Sequence, residues 1–106
     1  MTTFEAWIGT CHIRGTEGFE ERSFECFLAV WAQGRENFEA TLRQHLKNQS
    51  QNLLWAEEVF PVIQWLSKHG HNQTVMRLAR SVHNGKPVQL GAFTKLGANG
   101  EPAPPP

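Results

Sequence analysis

Residues 23–32, SFECFLAVWA, constrain the fold more than any other stretch. In an extended strand alternate side chains point to opposite faces. Phe24, Cys26, Leu28 and Val30 therefore share one face, and Phe27, Ala29 and Trp31 share the other. Both sets are apolar, so this strand belongs in the interior of a sheet with both faces at least partly buried. Residues 4–13, FEAWIGTCHI, read as a second strand, with Trp7, Cys11 and Ile13 on one face and Phe4, Ile8 and His12 toward the other. The linking segment RGTEGFEER has two glycines and a cluster of charges, which makes the pair a hairpin with a long loop. With the turn near Gly18 and Phe19, partners are positions that sum to about 37, and Cys11 then faces Cys26.

Gln33 and Gly34 break the second strand. Residues 35–48 then repeat apolar positions at helical spacing: Phe38, Leu42 and Leu46, with His45 beside them. Glu39 precedes Arg43 by one turn, the favourable order for an ion pair on a helix. A polar loop, NQSQN, leads to a short third strand at residues 53–60. Pro61 opens a helix over 61–69 with Val62, Trp65 and Leu66 inward, and Gly70 ends it. Asn72 is placed to cap a third helix over 73–83, with Val75, Met76, Ala79 and Val82 inward. Asn84-Gly85 and Pro87 stop that helix, and residues 88–96 form a last strand weakened by Gly91. The final residues, 97–106 (GANGEPAPPP), read as a disordered proline-rich tail.

The predicted class is α+β: a single four-stranded, mainly antiparallel sheet in the order β-β-α-β-α-α-β, with the helices packed on one face. Residues 1–96 make one domain, since 106 residues are close to the commonest domain length. Helix one links strands two and three, which permits a right-handed crossover between parallel neighbours. The nearest familiar architecture is a ferredoxin-like sheet or a variant of it, a likeness of fold that carries no function.

Charge is divided by position. Residues 1–60 carry nine glutamates against five basic side chains, a net −4, while residues 61–106 carry five basic side chains against Glu101 alone, a net +4. The chain as a whole is neutral, with a pI of about 7.0. The two blocks can pair with each other, with a second copy, or with another protein. Asp is absent, so any carboxylate chemistry falls to Glu. The N-terminus has no basic stretch followed by an apolar run, and no segment approaches the roughly 18 apolar residues of a membrane span. These features predict a cytoplasmic protein with no membrane partner.

The residues capable of chemistry do not assemble into a motif. Cys11 and Cys26 invite a disulfide, a redox pair or half a metal site, but a chain without a secretion signal keeps such thiols as small buried hydrophobes. Mid-strand thiols among Phe24 and Phe27 lack the cation or helix terminus that activates a nucleophile. His69, His71 and His83 suggest zinc, yet no spacing of the C-x₂₋₄-C or H-x₃₋₅-H kind is present. Glu20-Glu21 and Glu57-Glu58 are adjacent in sequence, so strand geometry sends each pair to opposite faces rather than across a cleft. Gly15 and Gly18 lack the Lys-Ser/Thr of a phosphate loop. The expectation is a non-enzymatic protein with no cofactor and no metal.

Two binding readings remain. The first is a protein-interaction domain, of the inhibitor, immunity or accessory type, that binds a protein partner or self-associates as a homodimer. Its contacts would be an acidic rim of Glu17, Glu20, Glu21, Glu57 and Glu58, with Trp31 and Trp55 as hydrophobic anchors on an aromatic sheet face. The second is an RNA- or DNA-binding module built on Lys68, Arg77, Arg80 and Lys86, with Phe93 or Trp65 able to stack on bases. A pI near 7 weighs against the second, since dedicated nucleic-acid domains are usually above 9.

Overall fold

The computed structural model describes residues 3–17 and 20–95, with backbone alone at 16–17, 20–21 and 92–95. The proline-rich tail and the turn residues Gly18 and Phe19 lie outside the described residues. The elements in chain order are β1 (Glu5–Glu17), β2 (Glu20–Ala32), α1 (Arg35–Lys47), β3 (Asn52–Pro61), α2 (Val62–His69), α3 (Gln73–Ser81) and β4 (Val88–Lys95). The α+β class, the antiparallel four-stranded sheet and the order of elements are as the sequence predicts.

β1 and β2 are paired without interruption from Glu5 opposite Ala32 to Glu17 opposite Glu20, and Cys11 faces Cys26. This hairpin is the middle of the sheet, whose order is β3-β1-β2-β4. β3 pairs with β1 and β4 with β2, both antiparallel. β2 and β3 thus run in the same direction but are not neighbours, because β1 lies between them. The unit β2-α1-β3 is a split βαβ rather than a crossover between adjacent parallel strands. The hairpin forms the centre first in sequence, so later strands can add only at its edges.

The helices do not share one face, which corrects the prediction. Phe38, Leu42 and Leu46 of α1 pack against Cys11, Ile13, Cys26, Leu28 and Val30 in one buried cluster. Trp65 of α2 and Val75 and Leu78 of α3 pack against Ala6, Ile8 and Ala29 in a second. These two sets of strand residues are the two alternating faces of the hairpin. The reason is visible in β2 itself: Phe27, Ala29 and Trp31 are as apolar as Cys26, Leu28 and Val30, so both faces demand cover. Each large side chain fully removed from water, such as Phe38, Leu42 or Leu46, contributes about 1.5–3 kcal/mol.

Local chemistry ends and joins the helices. Gly34 O accepts the amide of Phe38, and the amide of Gln33 donates to Asn37 Oδ1, which closes the first turn of α1. The side chain of Asn72 accepts the Val75 amide as the predicted cap of α3. Gly70 separates α2 from α3 with φ of 90°, a conformation that favours glycine.

β3 departs from simple alternation. Its buried residues are Leu53, Ala56 and Val59, one in every three. Two register shifts against β1, between Ile8 and Thr10 and between His12 and Ile13, produce this period. At each, β3 carries one extra residue, so the strand is doubly bulged. Arg43 and Arg35 of α1 donate to the carbonyls of Leu53 and Ala56, supplying partners to an irregular backbone. Gly9 lies at the shift between Ile8 and Thr10, where an added Cβ would come within 2.9 Å of Phe38 Cζ. The close approach of α1 to β1 therefore depends on a residue without a side chain.

Candidate functional site

The edge strand β3 carries two of the four exposed large apolar side chains of the described residues, Leu54 and Trp55, together with the exposed Glu57 and Glu58. Trp55 is 51% exposed and Leu54 39%, and Ile63 just beyond the strand is 78% exposed. Single exposed apolar residues are ordinary; neighbouring ones on an edge strand mark a surface suited to docking. The more informative fact is that Trp55 is not loose. Its indole lies flat on His12, with ring centroids 4.1 Å apart and planes 20° from parallel. His12 is buried, opposite Trp55 in the β1–β3 pairing, and its Nε2 is 3.1 Å from Glu57 Oε1. An ionised carboxylate only accepts, so Nε2–H is the donor. Nδ1 is buried without a protein partner among the described residues. Glu25 is the residue opposite His12 on β2.

A second acidic node follows along the same strand. Glu58 sits at a bulge with φ of 54°. Lys68 Nζ and His69 Nε2, from the end of α2, both lie 3.0 Å from its Oε2. Those hydrogen bonds, Lys68 first and His69 second, hold the Glu58 carboxyl below its ordinary pKa. Lys68 also lies over the Phe60 ring at 4.8 Å, and His69 tilts against Trp65 at 4.5 Å. Trp65 in turn meets Phe27 edge-on at 5.4 Å. The two adjacent glutamates are thus clamped by different partners: Glu57 by a strand histidine, Glu58 by the end of a helix.

The His12–Glu57 pair is separate from both thiols. Cys11 is its neighbour in β1 and so points to the opposite face, into the α1 cluster. Cys11 and Cys26 are free thiols, both buried. Burial, with a smaller effect from Cys26, pushes the Cys11 thiol up to about 12. Burial likewise pushes Cys26 up to about 11, opposed by a hydrogen bond with the Gly91 backbone. Both stay protonated at neutral pH, which is the inert state.

The predicted site residues are distributed as follows. Glu57, Glu58 and Trp55 come together on β3. Glu17 and Glu20 face each other at the end of the hairpin, and Glu21 faces Thr16; their side chains are outside the described residues. Trp31 is only half-buried and packs against the α2/α3 cluster, away from Trp55 in register. Lys68 belongs to the Glu58 node, apart from Arg77 and Arg80 on α3. Lys86 is in the tight turn after α3, bridged to His83, whose Nδ1 accepts the Gly85 amide. His69, His71 and His83 occupy three different places, and among the described residues no three His, Cys or Glu come within reach of one metal ion. Phe93 is described by its backbone alone.

The sequence reading missed His12 as the support of Trp55 and treated Glu57 and Glu58 as a regular strand pair. No signal in the sequence marks the first, because the pairing of Trp55 with His12 is set by the bulged register of β3. No helix among the described residues is long and apolar enough to cross a membrane. Comparison with protein-family models, with curated proteins and with solved structures finds no match to this chain.

Proposed function

We propose that this chain is a non-enzymatic, cytoplasmic interaction domain of the inhibitor, immunity or accessory type, which docks a basic protein partner on the β3 edge. The observation that carries the reading is the stacked, half-exposed Trp55 beside Glu57. An aromatic ring already held by a buried neighbour loses little freedom on binding, which is the property of a hot-spot anchor. Glu57 sets a negative charge beside the ring, and negative charge on a docking surface speeds the approach of a cationic partner. Glu58 contributes less, because Lys68 already offsets its charge.

The two bulges of β3 disfavour continuous strand pairing with a partner, so side chains rather than backbone make the contact. A second copy of the chain is the alternative partner, giving a homodimer.

Wild type, Trp55→Ala and Glu57→Lys proteins are compared as baits in native extract. A protein retained by wild type and lost from both variants is then purified, and its association rate is measured at low and high salt. The reading requires a rate that falls with salt and is lowered by Glu57→Lys. Equal rates for wild type and Glu57→Lys at low salt sink it. Sedimentation of the purified chain alone, with and without Trp55→Ala, distinguishes a homodimer from a hetero-complex.

A further inference from the structure

The basic half of the chain is not used up by the acidic half. Of its cations, only Lys68 has a carboxylate partner among the described residues, namely Glu58. Arg77, Arg80 and Lys86 form no ion pair among the described residues. No acidic residue occurs between Glu58 and Glu101, so none lies on α2, α3 or β4. Beyond the Lys68–Glu58 contact, the described cations of the second half carry positive charge that no described carboxylate offsets.

Arg77 and Arg80 lie on the exposed side of α3, three positions apart, which puts their Cβ atoms roughly 5–6 Å from each other. They line an open groove of about 560 Å³ together with His71, Gln73, Thr74 and Met76. α3 itself is anchored: Val75 and Leu78 on its other side are buried, and Asn72 caps its start. The arginines thus project from a rigid element. Among the described residues, every charged group of the groove is cationic or able to become so, and Gln73 and Thr74 add neutral donors.

We infer that this α3 groove binds the phosphodiester backbone of a nucleic acid strand. Paired guanidinium forks match phosphate oxygens with two parallel hydrogen bonds each, which a lysine cannot reproduce. Neutral donors such as Gln73 and Thr74 are the side chains that set register on a sugar–phosphate chain. The open shape suits a polymer passing through rather than a small molecule enclosed. No large aromatic ring lines the groove among the described residues, so the contact argued from them is with phosphates and is independent of base sequence. This surface is separate from the β3 edge, and either can fail without the other.

The test uses fluorescence anisotropy of the full chain with a labelled single-stranded RNA of about 12 nucleotides, and with duplex DNA of similar length, over about 50–200 mM salt. Two phosphates neutralised on a single strand give a log–log salt slope near −1.4. Arg77→Glu/Arg80→Glu should weaken binding by about tenfold or more and remove that slope, while circular dichroism stays unchanged. Arg77→Lys/Arg80→Lys should keep the slope and lose affinity, separating charge from fork geometry. Glu57→Lys should leave binding in place. RNA binding well above duplex binding assigns the groove to single strands; the reverse assigns it to duplexes. Absence of salt-dependent binding to both, or binding that survives Arg77→Glu/Arg80→Glu, overturns the inference. Equal affinity for polyglutamate of the same charge overturns it too, and makes the groove a site for acidic proteins.

Discussion

Trp55 rests on His12, and His12 is locked to Glu57, so an exposed aromatic on an edge strand is supported from below by a buried polar ring. The support is asymmetric, and the two residues should respond differently to removal. His12→Ala takes away a buried ring and leaves the indole unsupported, at a cost of about 1–3 kcal/mol in urea unfolding. Trp55→Ala removes a half-exposed ring and one stacked pair, at a cost of about 1 kcal/mol or less. Partner binding should show the opposite order, with Trp55→Ala the more damaging. Equal stability losses for the two variants would mean that the two rings support each other equally and that the asymmetry is absent.

Glu58 offers a pH-dependent readout. Its folded carboxyl is held below the ordinary value by Lys68 and His69, so the unfolded state binds more protons in the acid range. The stabilisation is therefore present above the ordinary carboxylate pKa and is lost as pH falls through the depressed one. Glu58 is exposed, and the effect is correspondingly small. An NMR titration should find the Glu58 side-chain carboxyl titrating below the ordinary glutamate range, and Lys68→Ala should return it upward. No movement on Lys68→Ala would mean that the 3.0 Å contact does not persist in solution.

The hairpin was legible to the residue because its determinants are local. Two apolar runs flank a single charged turn, and one turn position fixes every partner down to Cys11 and Cys26. The Asn72 cap was legible for the same reason, since a cap needs only its own helix. β3 was not, because its bulges answer to distant residues. Gly9 opposite one bulge and Arg43 reaching the carbonyl at the other belong to different elements, and no period in LLWAEEVF reveals them. The burial of both sheet faces was half written in β2, whose two faces are equally apolar; which helix would cover which face was not. The stacking of Trp55 on His12 depends on the bulged register and was hidden with it.

Gly91 is the position where one methyl group should matter most. It opposes Phe27 at the register shift between β2 and β4, and a Cβ there would lie 2.5 Å from the Phe27 carbonyl oxygen. Backbone cannot swing aside as a side chain can. Gly91→Ala should destabilise the fold by about 1–3 kcal/mol. Gly34→Ala, where nothing lies within 4 Å, is the control and should stay within about 0.5 kcal/mol. A Gly91→Ala protein as stable as the control would show that β4 pairs with β2 in some other register.

Cys11 and Cys26 face each other across the central hairpin, yet they should behave as two independent hydrophobic plugs. Their thiols are raised by burial from an ordinary value of 9.0 to about 12 and about 11. At neutral pH the thiolate fraction is then lower by a factor on the order of 10² to 10³, before access is considered. The native protein should resist a thiol-specific disulfide reagent at pH 7.5 and release two equivalents at once in denaturant. Raising the pH to 9 should increase native labelling only as the thiolate fraction rises, with Cys26 ahead of Cys11. Cys26→Ala should leave a cavity against Leu28 and α1 and cost about 1–2 kcal/mol. Rapid native labelling of either residue would require the hairpin to open far more often than a strand pair at the centre of a sheet allows.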